Sequence, residues 1–449
     1  MSQTAAAETL PFHLRGNFAP VADEKTTFDL EVRGAIPPEL RGAYYRNGPN
    51  PRSGSSAHWF FGDGMVHGIA LEGGEASWYR NRWVRTRPYE EGDEKAQLVR
   101  EDGSVDLTAA KANTHVVGHA GKILALVETS LPIELTRELD TVGLCDFGGR
   151  LTTAMTAHPK VCPATGEMHF FGYAFAPPYL TYYRADARGE LVQSEVIEPR
   201  GPSMVHDFAI TERHVIFMDL PVVFDADRAL EGTMPYAWSD DYGARLGVMP
   251  RGGRGSDVRW FEIEPCYAFH SLNAFDRGQE VVLDIARYPE LWRKSATDFR
   301  TASLHRFQID LDAGAVREEP LDDQGIEFPR VDPRREGRPH RFGYAVAYRA
   351  GPDEAAFNAL IQYDLERGGS KVHEFGPGRV PGEGVFAPAS ADAAEDEGWV
   401  LSLVYDEGRN TSDLVILDAS NFDKPPVASV ALPQRVPFGF HGSWVPAPS

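Results

Sequence analysis

The chain has 449 residues, 42% apolar and 25% charged, a composition that builds a substantial core and excludes a disordered chain. Its formal net charge of −21 repels phosphate backbones, and no basic block offsets it, so nucleic acid is excluded as a partner. No run of about 18 uncharged apolar residues occurs, and the opening "MSQTAAAETLPFHLRGNF" lacks a basic segment followed by an apolar one. The expectation is a cytoplasmic protein with no integral membrane segment.

Taken in order, the text reads as strands and turns. "NTHVVGHAGKILALVETSLP" (113–132), "TAHPKVCPATGEMHFFGYAF" (156–175), "MVHDFAITERHVIFMDLP" (204–221) and "FHSLNAFDRGQEVVLDIARY" (269–288) share one layout. Each has a histidine near its start, a short strand, a polar turn (HAGK, PATGE, TER, DRGQ) and an apolar strand, the pattern of a β-hairpin. Further hairpin text follows at 303–321, 359–375, 398–419 and 426–434. Helical periodicity is hard to find, and units of roughly 40 to 50 residues match the four-stranded blades of a β-propeller. The 43 glycines and 33 prolines are scattered as punctuation. The Pro/Arg-rich "FPRVDPRREGRPHRFG" (328–343) reads as a long loop, and no boundary divides the chain. The expected fold class is all-β, a single propeller domain over residues 1–449. Cys145, Cys162 and Cys266 have neither CxxC nor zinc-finger spacing and read as buried small hydrophobes.

Fourteen histidines are too many to act together. His158, His206 and His270 stand out because each occupies the same place in the template, where the first strand of its hairpin begins. Their separations are 206 − 158 = 48 and 270 − 206 = 64 residues, and equivalent positions of different blades converge on a propeller's axis. His441 in "VPFGFHGSWVP" is a fourth candidate. His115 falls in a template copy, but Thr114 takes the ligand position there, so His115 is set aside. His13, His58, His67, His119, His169, His214, His305, His340 and His373 read as surface or satisfied polar residues. The alternative for the chosen four is that they cap hairpins through backbone hydrogen bonds.

Four neutral imidazoles leave a divalent metal its full charge and suit iron, zinc, copper or nickel almost equally. Metal-bound histidines give their other N–H to a carboxylate or carbonyl, which singles out acids in apolar or Gly/Pro text. Glu128 in "LALVETSLP", Glu327 in "GIEFPRV" and Glu383 in "PGEGVFAP" fit, exposed loop acids being the alternative. Asp207, beside His206, reads as a strand-end hydrogen-bonding residue, and His214 as a turn residue.

These motifs, in this order with "GAYYRNGPNP" (42–51) and "HWFFGDGMVHGIAL" (58–71), make the chain resemble the carotenoid cleavage oxygenases over nearly its whole length. That family includes bacterial apocarotenoid- and stilbene-cleaving enzymes and the vertebrate retinoid isomerase. The resemblance implies a seven-bladed β-propeller with a loop and helix cap over the active-site face. It implies one non-haem Fe(2+) per chain, held by His158, His206, His270 and His441, and no organic cofactor. Glu128, Glu327 and Glu383 correspond to the family's glutamates behind the ligands, and Thr114 to its threonine shielding one open iron position. The implied reaction is O2-dependent scission of a conjugated C=C bond into two carbonyl products.

Members that cleave phenolic stilbenes or phenylpropenes carry a lysine immediately before the first of these glutamates and a tyrosine upstream. Here that position is Val127, and residues 90–113 contain no tyrosine. A carotenoid or apocarotenoid polyene is therefore expected as substrate, with a stilbenoid or phenylpropanoid alkene as the alternative. A retinoid-type isomerohydrolase and a non-catalytic binding propeller are the remaining readings.

Overall fold

The structure, a computed structural model, describes residues 10–92, 99–100, 104–231, 233–296, 298–349 and 356–448. Among them lie seven antiparallel sheets of four or more strands and one two-stranded ribbon, Val222–Phe224 with Tyr236–Trp238. This is the strand inventory of a seven-bladed β-propeller; the hairpin text leads one to expect the propeller, and the family resemblance its seven blades. Among the described residues, helix is confined to two five-residue pieces, Arg87–Glu91 and Ala226–Leu230, and to 3-10 turns. Among the same residues, no helix is long and apolar enough to cross a membrane.

The chain divides into two compact units. One comprises Met1–Cys145, Phe375–Asp392 and Glu397–Ser449; the other comprises Asp146–Glu374 and Ala393–Asp396.

The first unit holds three of the seven sheets. Its hairpin at 113–132 forms strands His115–His119 and Lys122–Leu126, with Ala120 and Gly121 at φ 50° and 78° between them. Two successive left-handed residues are what a two-residue type I′ turn requires. The C-terminal strand Gly442–Pro446 pairs with the early strand Gly42–Pro49, so the two ends of the chain share a sheet. Val32–Gly34 likewise pairs with Ala428–Ala431. Tyr44, Ile69, Leu414 and Val430 belong to the core of this unit.

The second unit holds four sheets, each of four strands, and the ribbon. Inner strands such as Met168–Tyr173 are buried almost throughout, because both faces are covered. The last strand of the same sheet, Leu191–Ile197, alternates, with Val192 and Val196 outward at 50% and 51% exposure. Phe171, Tyr182, Phe208 and Phe217 pack in its core. The expected loop over 328–343 is shorter in the structure. Its first residues belong to strand Ile326–Arg330 and its last to Phe342–Arg349, which pair with each other. All three cysteines are buried and none is in a disulfide, as expected.

Candidate metal centre

Three of the proposed ligands lie at strand starts within the second unit. His158 and His206 each precede a strand by two residues (Lys160–Val161 and Phe208–Ile210), and His270 immediately precedes Ser271–Arg277. Their rings crowd together, with centroids 4.5 Å apart for His158 and His206, 5.0 Å for His158 and His270, and 5.3 Å for His206 and His270. The Nε2 atoms of His158 and His206 are 3.0 Å apart. Apolar rings wall the group: Phe269 meets His206 edge-on, and Phe328 stacks on His270.

Behind His270 sits Glu327. Its strand carries a bulge, since Glu327 and Arg330 pair with Val346 and Tyr344, three steps on one strand against two on the other. A bulge re-aims side chains, and here Phe328 takes φ 52° while Glu327 is buried. Glu327 Oε2 hydrogen-bonds His270 Nδ1 and accepts from the Phe328 N–H at 2.5 Å; Oε1 accepts from the Tyr288 hydroxyl at 2.7 Å. Burial pushes the Glu327 carboxyl up, but the His270 ring and these hydrogen bonds outweigh it and hold the carboxyl below its ordinary range. Burial and the Glu327 charge raise the Tyr288 phenol well above its usual value, so it stays a donor.

The fourth ligand is built in the first unit by the same means. His441 immediately precedes Gly442–Pro446, and its N–H donates to the Thr114 carbonyl at 3.1 Å. Its Nδ1 is 2.9 Å from Glu383 Oε1, while Glu383 Oε2 accepts from the Gly442 N–H at 2.8 Å. Glu383 also sits on a bulge, because Pro381 pairs with Val404 and Val385 with Leu401, four steps against three. The Thr114 hydroxyl donates to Asn113 Oδ1 at 3.0 Å. The His115 ring lies 5.2 Å from that of His441, but its Nε2 faces Ser443 Oγ at 3.2 Å and Gly442 O at 3.4 Å. Setting His115 aside agrees with these contacts.

Among the described residues, one group of histidines could hold a metal ion: His158, His206, His270 and His441 each offer a ligand nitrogen, all within 4.8 Å of one another. The donor set fits such an ion. With Nδ1 of His270 and His441 directed at carboxylates, Nε2 of each remains as the donor, the arrangement typical of metal-bound imidazole.

Glu128 differs from the other two acids. It is half-buried in the turn after Lys122–Leu126, next to the buried Val127. The segment 90–113 that bears on phenol recognition falls partly on residues 93–98 and 101–103, outside the described residues.

The sequence missed Tyr288, whose isolated bridge to Tyr267 gives no local signal. It also undervalued Asp207, which is 1% exposed and ion-paired with Lys160 at 3.0 Å, more than a strand-end hydrogen-bonding residue. Several histidines read as surface or satisfied polar are core residues with partners. His67 Nδ1 meets the Tyr79 hydroxyl at 2.9 Å, and His169 Nδ1 meets that of Tyr182 at 2.6 Å. His214 opens strand His214–Asp219 and pairs with Asp276 at 2.7 Å.

Seven blade-type sheets and a four-histidine group able to hold a metal define the class as a β-propeller with a candidate metal centre. Residues 18–446 match the family described as retinal pigment epithelial membrane protein, and the chain belongs to that family, the carotenoid cleavage oxygenases. It is 39% identical to the carotenoid cleavage oxygenase of Mycobacterium tuberculosis, over 99% of this chain and 100% of that one. It is 34% identical to the isoeugenol monooxygenase of Pseudomonas nitroreducens, over 97% and 98%. The crystal structure of the lignostilbene dioxygenase of Pseudomonas brassicacearum superposes with a TM-score of 0.88 at 32% identity, covering 98% of this chain and 100% of that chain. The chain is thus an enzyme of the oxygenase type, and the non-catalytic propeller is set aside.

Proposed function

We propose that this enzyme uses Fe(II) and O2 to cleave a conjugated C=C bond of a carotenoid or apocarotenoid into two carbonyl products. The observation that carries the reading is the four-histidine group, two of whose rings are backed by buried carboxylates. One C=C bond and one O2 give two C=O groups, so the reaction balances without a further reductant.

His158, His206, His270 and His441 would hold the metal. When bound, ferrous iron supplies a redox-active centre with positions left for O2, which zinc does not. Glu327 and Glu383 fix the tautomer of their histidines and place negative charge behind the donor set. We assign Glu128 to the same task for a further ligand ring and Thr114 to shielding one open position. Val127 favours the polyene over a phenol, because its apolar side chain cannot assist phenol deprotonation. The names of the relatives keep aryl alkenes as the second reading, since one is an isoeugenol monooxygenase and another a lignostilbene dioxygenase.

The test incubates Fe(II)-loaded protein with apocarotenals, full-length carotenoids and hydroxystilbenes under 18O2, then identifies the products by mass spectrometry. Labelled apocarotenoid aldehydes are expected. Cleavage of hydroxystilbenes alone shifts the assignment to aryl alkenes, isomerised product without label supports the isomerohydrolase, and failure to take up iron overturns the metal centre.

A further inference from the structure

A buried polar knot joins the segments that carry three of the histidines. Lys160 lies two residues after His158, Asp207 one after His206, and Ser271 one after His270. Lys160 Nζ is 3.0 Å from Asp207 Oδ1, 3.3 Å from Oδ2 and 3.2 Å from Ser271 Oγ. Asp207 Oδ2 accepts from the Ser271 N–H and hydroxyl at 2.8 Å each, and Oδ1 accepts from the Phe208 N–H at 2.8 Å. The side chains of Lys160 and Asp207 are 11% and 1% exposed. These residues stand at the starts of strands in three different sheets. Thr156 adds a further tie, accepting from the His158 N–H at 3.1 Å and donating to the His206 carbonyl at 3.3 Å.

Taking two charges out of water is costly, and apolar replacements of buried ion pairs are often neutral or stabilising. Stability alone therefore gives no reason for this pair. Its placement supplies one, since each partner sits one or two residues from a proposed ligand. A shift in any of the three backbone segments moves an imidazole by a comparable amount, and metal geometry tolerates little displacement.

We propose that Lys160, Asp207 and Ser271 are positioning residues that set the spacing of His158, His206 and His270 before the ion arrives. The inference rests on the reading of those histidines as ligands. The knot acts through the backbone and touches neither metal nor substrate.

The experiment measures Co(II) affinity, the visible absorption of the Co(II) complex and the melting temperature of the metal-free protein. Wild type is compared with Lys160→Met, Lys160→Arg and the double variant Lys160→Met/Asp207→Asn. Lys160→Met is expected to weaken Co(II) binding about 10- to 100-fold, the usual scale for losing a residue that orients ligands, and to alter the absorption bands. Lys160→Arg keeps the charge and restores most of the affinity. The double variant removes both charges, so its melting temperature recovers while its affinity stays low. Affinity that is unchanged in Lys160→Met, or that recovers with the melting temperature in the double variant, overturns the proposal. Wild-type protein that takes up no Co(II) or Fe(II) overturns the ligand reading, and the inference with it.

Discussion

Glu327 and Glu383 both sit on one-residue bulges, and both face the Nδ1 of a proposed ligand, yet their remaining contacts differ. Glu383 grips ring and backbone together, since its second oxygen takes the N–H of Gly442, the residue after His441. Glu327 grips the His270 ring and its own next N–H, and is itself held by Tyr288. The Gly442 N–H cannot reverse, and the His441 Nδ1 cannot either once its Nε2 holds a metal. One partner of Glu327 is a hydroxyl, which can turn and accept. A carboxylate of the same purpose is therefore rigidly specified at one histidine and repairable at the other.

The largest effect tests whether the two sites belong to one centre. His270→Ala and His441→Ala should each abolish stoichiometric iron and alkene cleavage, read by metal analysis and product formation. Point substitution is preferable to removing the last ten residues, because such a truncation also deletes strand Gly442–Pro446.

Next comes Glu383→Gln. Its amide N–H2 must face either the His441 ring N–H or the Gly442 N–H, and metal affinity should fall about 10- to 100-fold by titration. Glu327→Gln should cost less than about tenfold, because the amide can donate to Tyr288. Glu327→Gln/Tyr288→Phe should fall to the level of Glu383→Gln. Equal losses in the two single Gln variants would break the comparison.

The smallest effect is that of Tyr288→Phe alone. It leaves Glu327 Oε1 without the phenol donor and should lower stability by about 1 to 3 kcal/mol in chemical denaturation. Metal affinity should then change only a few-fold.

The hairpins were legible because period-2 alternation and turn residues are local properties. The candidate ligands were legible because one template recurs at 158, 206 and 270. Glu327 and Glu383 were legible as acids in apolar or glycine-rich text, the composition that a bulge tolerates. What escaped depends on which sheets meet. Lys160 in "TAHPK" and Asp207 in "MVHDFA" look like strand-edge charges, and only tertiary packing brings them to 3.0 Å. Tyr288 reaches Glu327 across 327 − 288 = 39 residues. The core pairs His67 with Tyr79 and His169 with Tyr182 left a fainter trace. Each lies on neighbouring strands of one hairpin, 12 and 13 residues apart, a spacing that a search for cross-strand partners would find.

The pairing of Gly442–Pro446 with Gly42–Pro49 also has a consequence for biosynthesis. A ribosome must add 442 − 49 = 393 residues after the early strand before its partner begins to appear. At about 5 to 20 residues per second, that is roughly 20 to 80 s. Throughout that interval one edge of Gly42–Pro49 is a vacant template for foreign strands, and His441 has not yet been made. Foreign strands should therefore compete with folding until that partner is made, and the four-histidine donor set should be complete only once His441 has been synthesised.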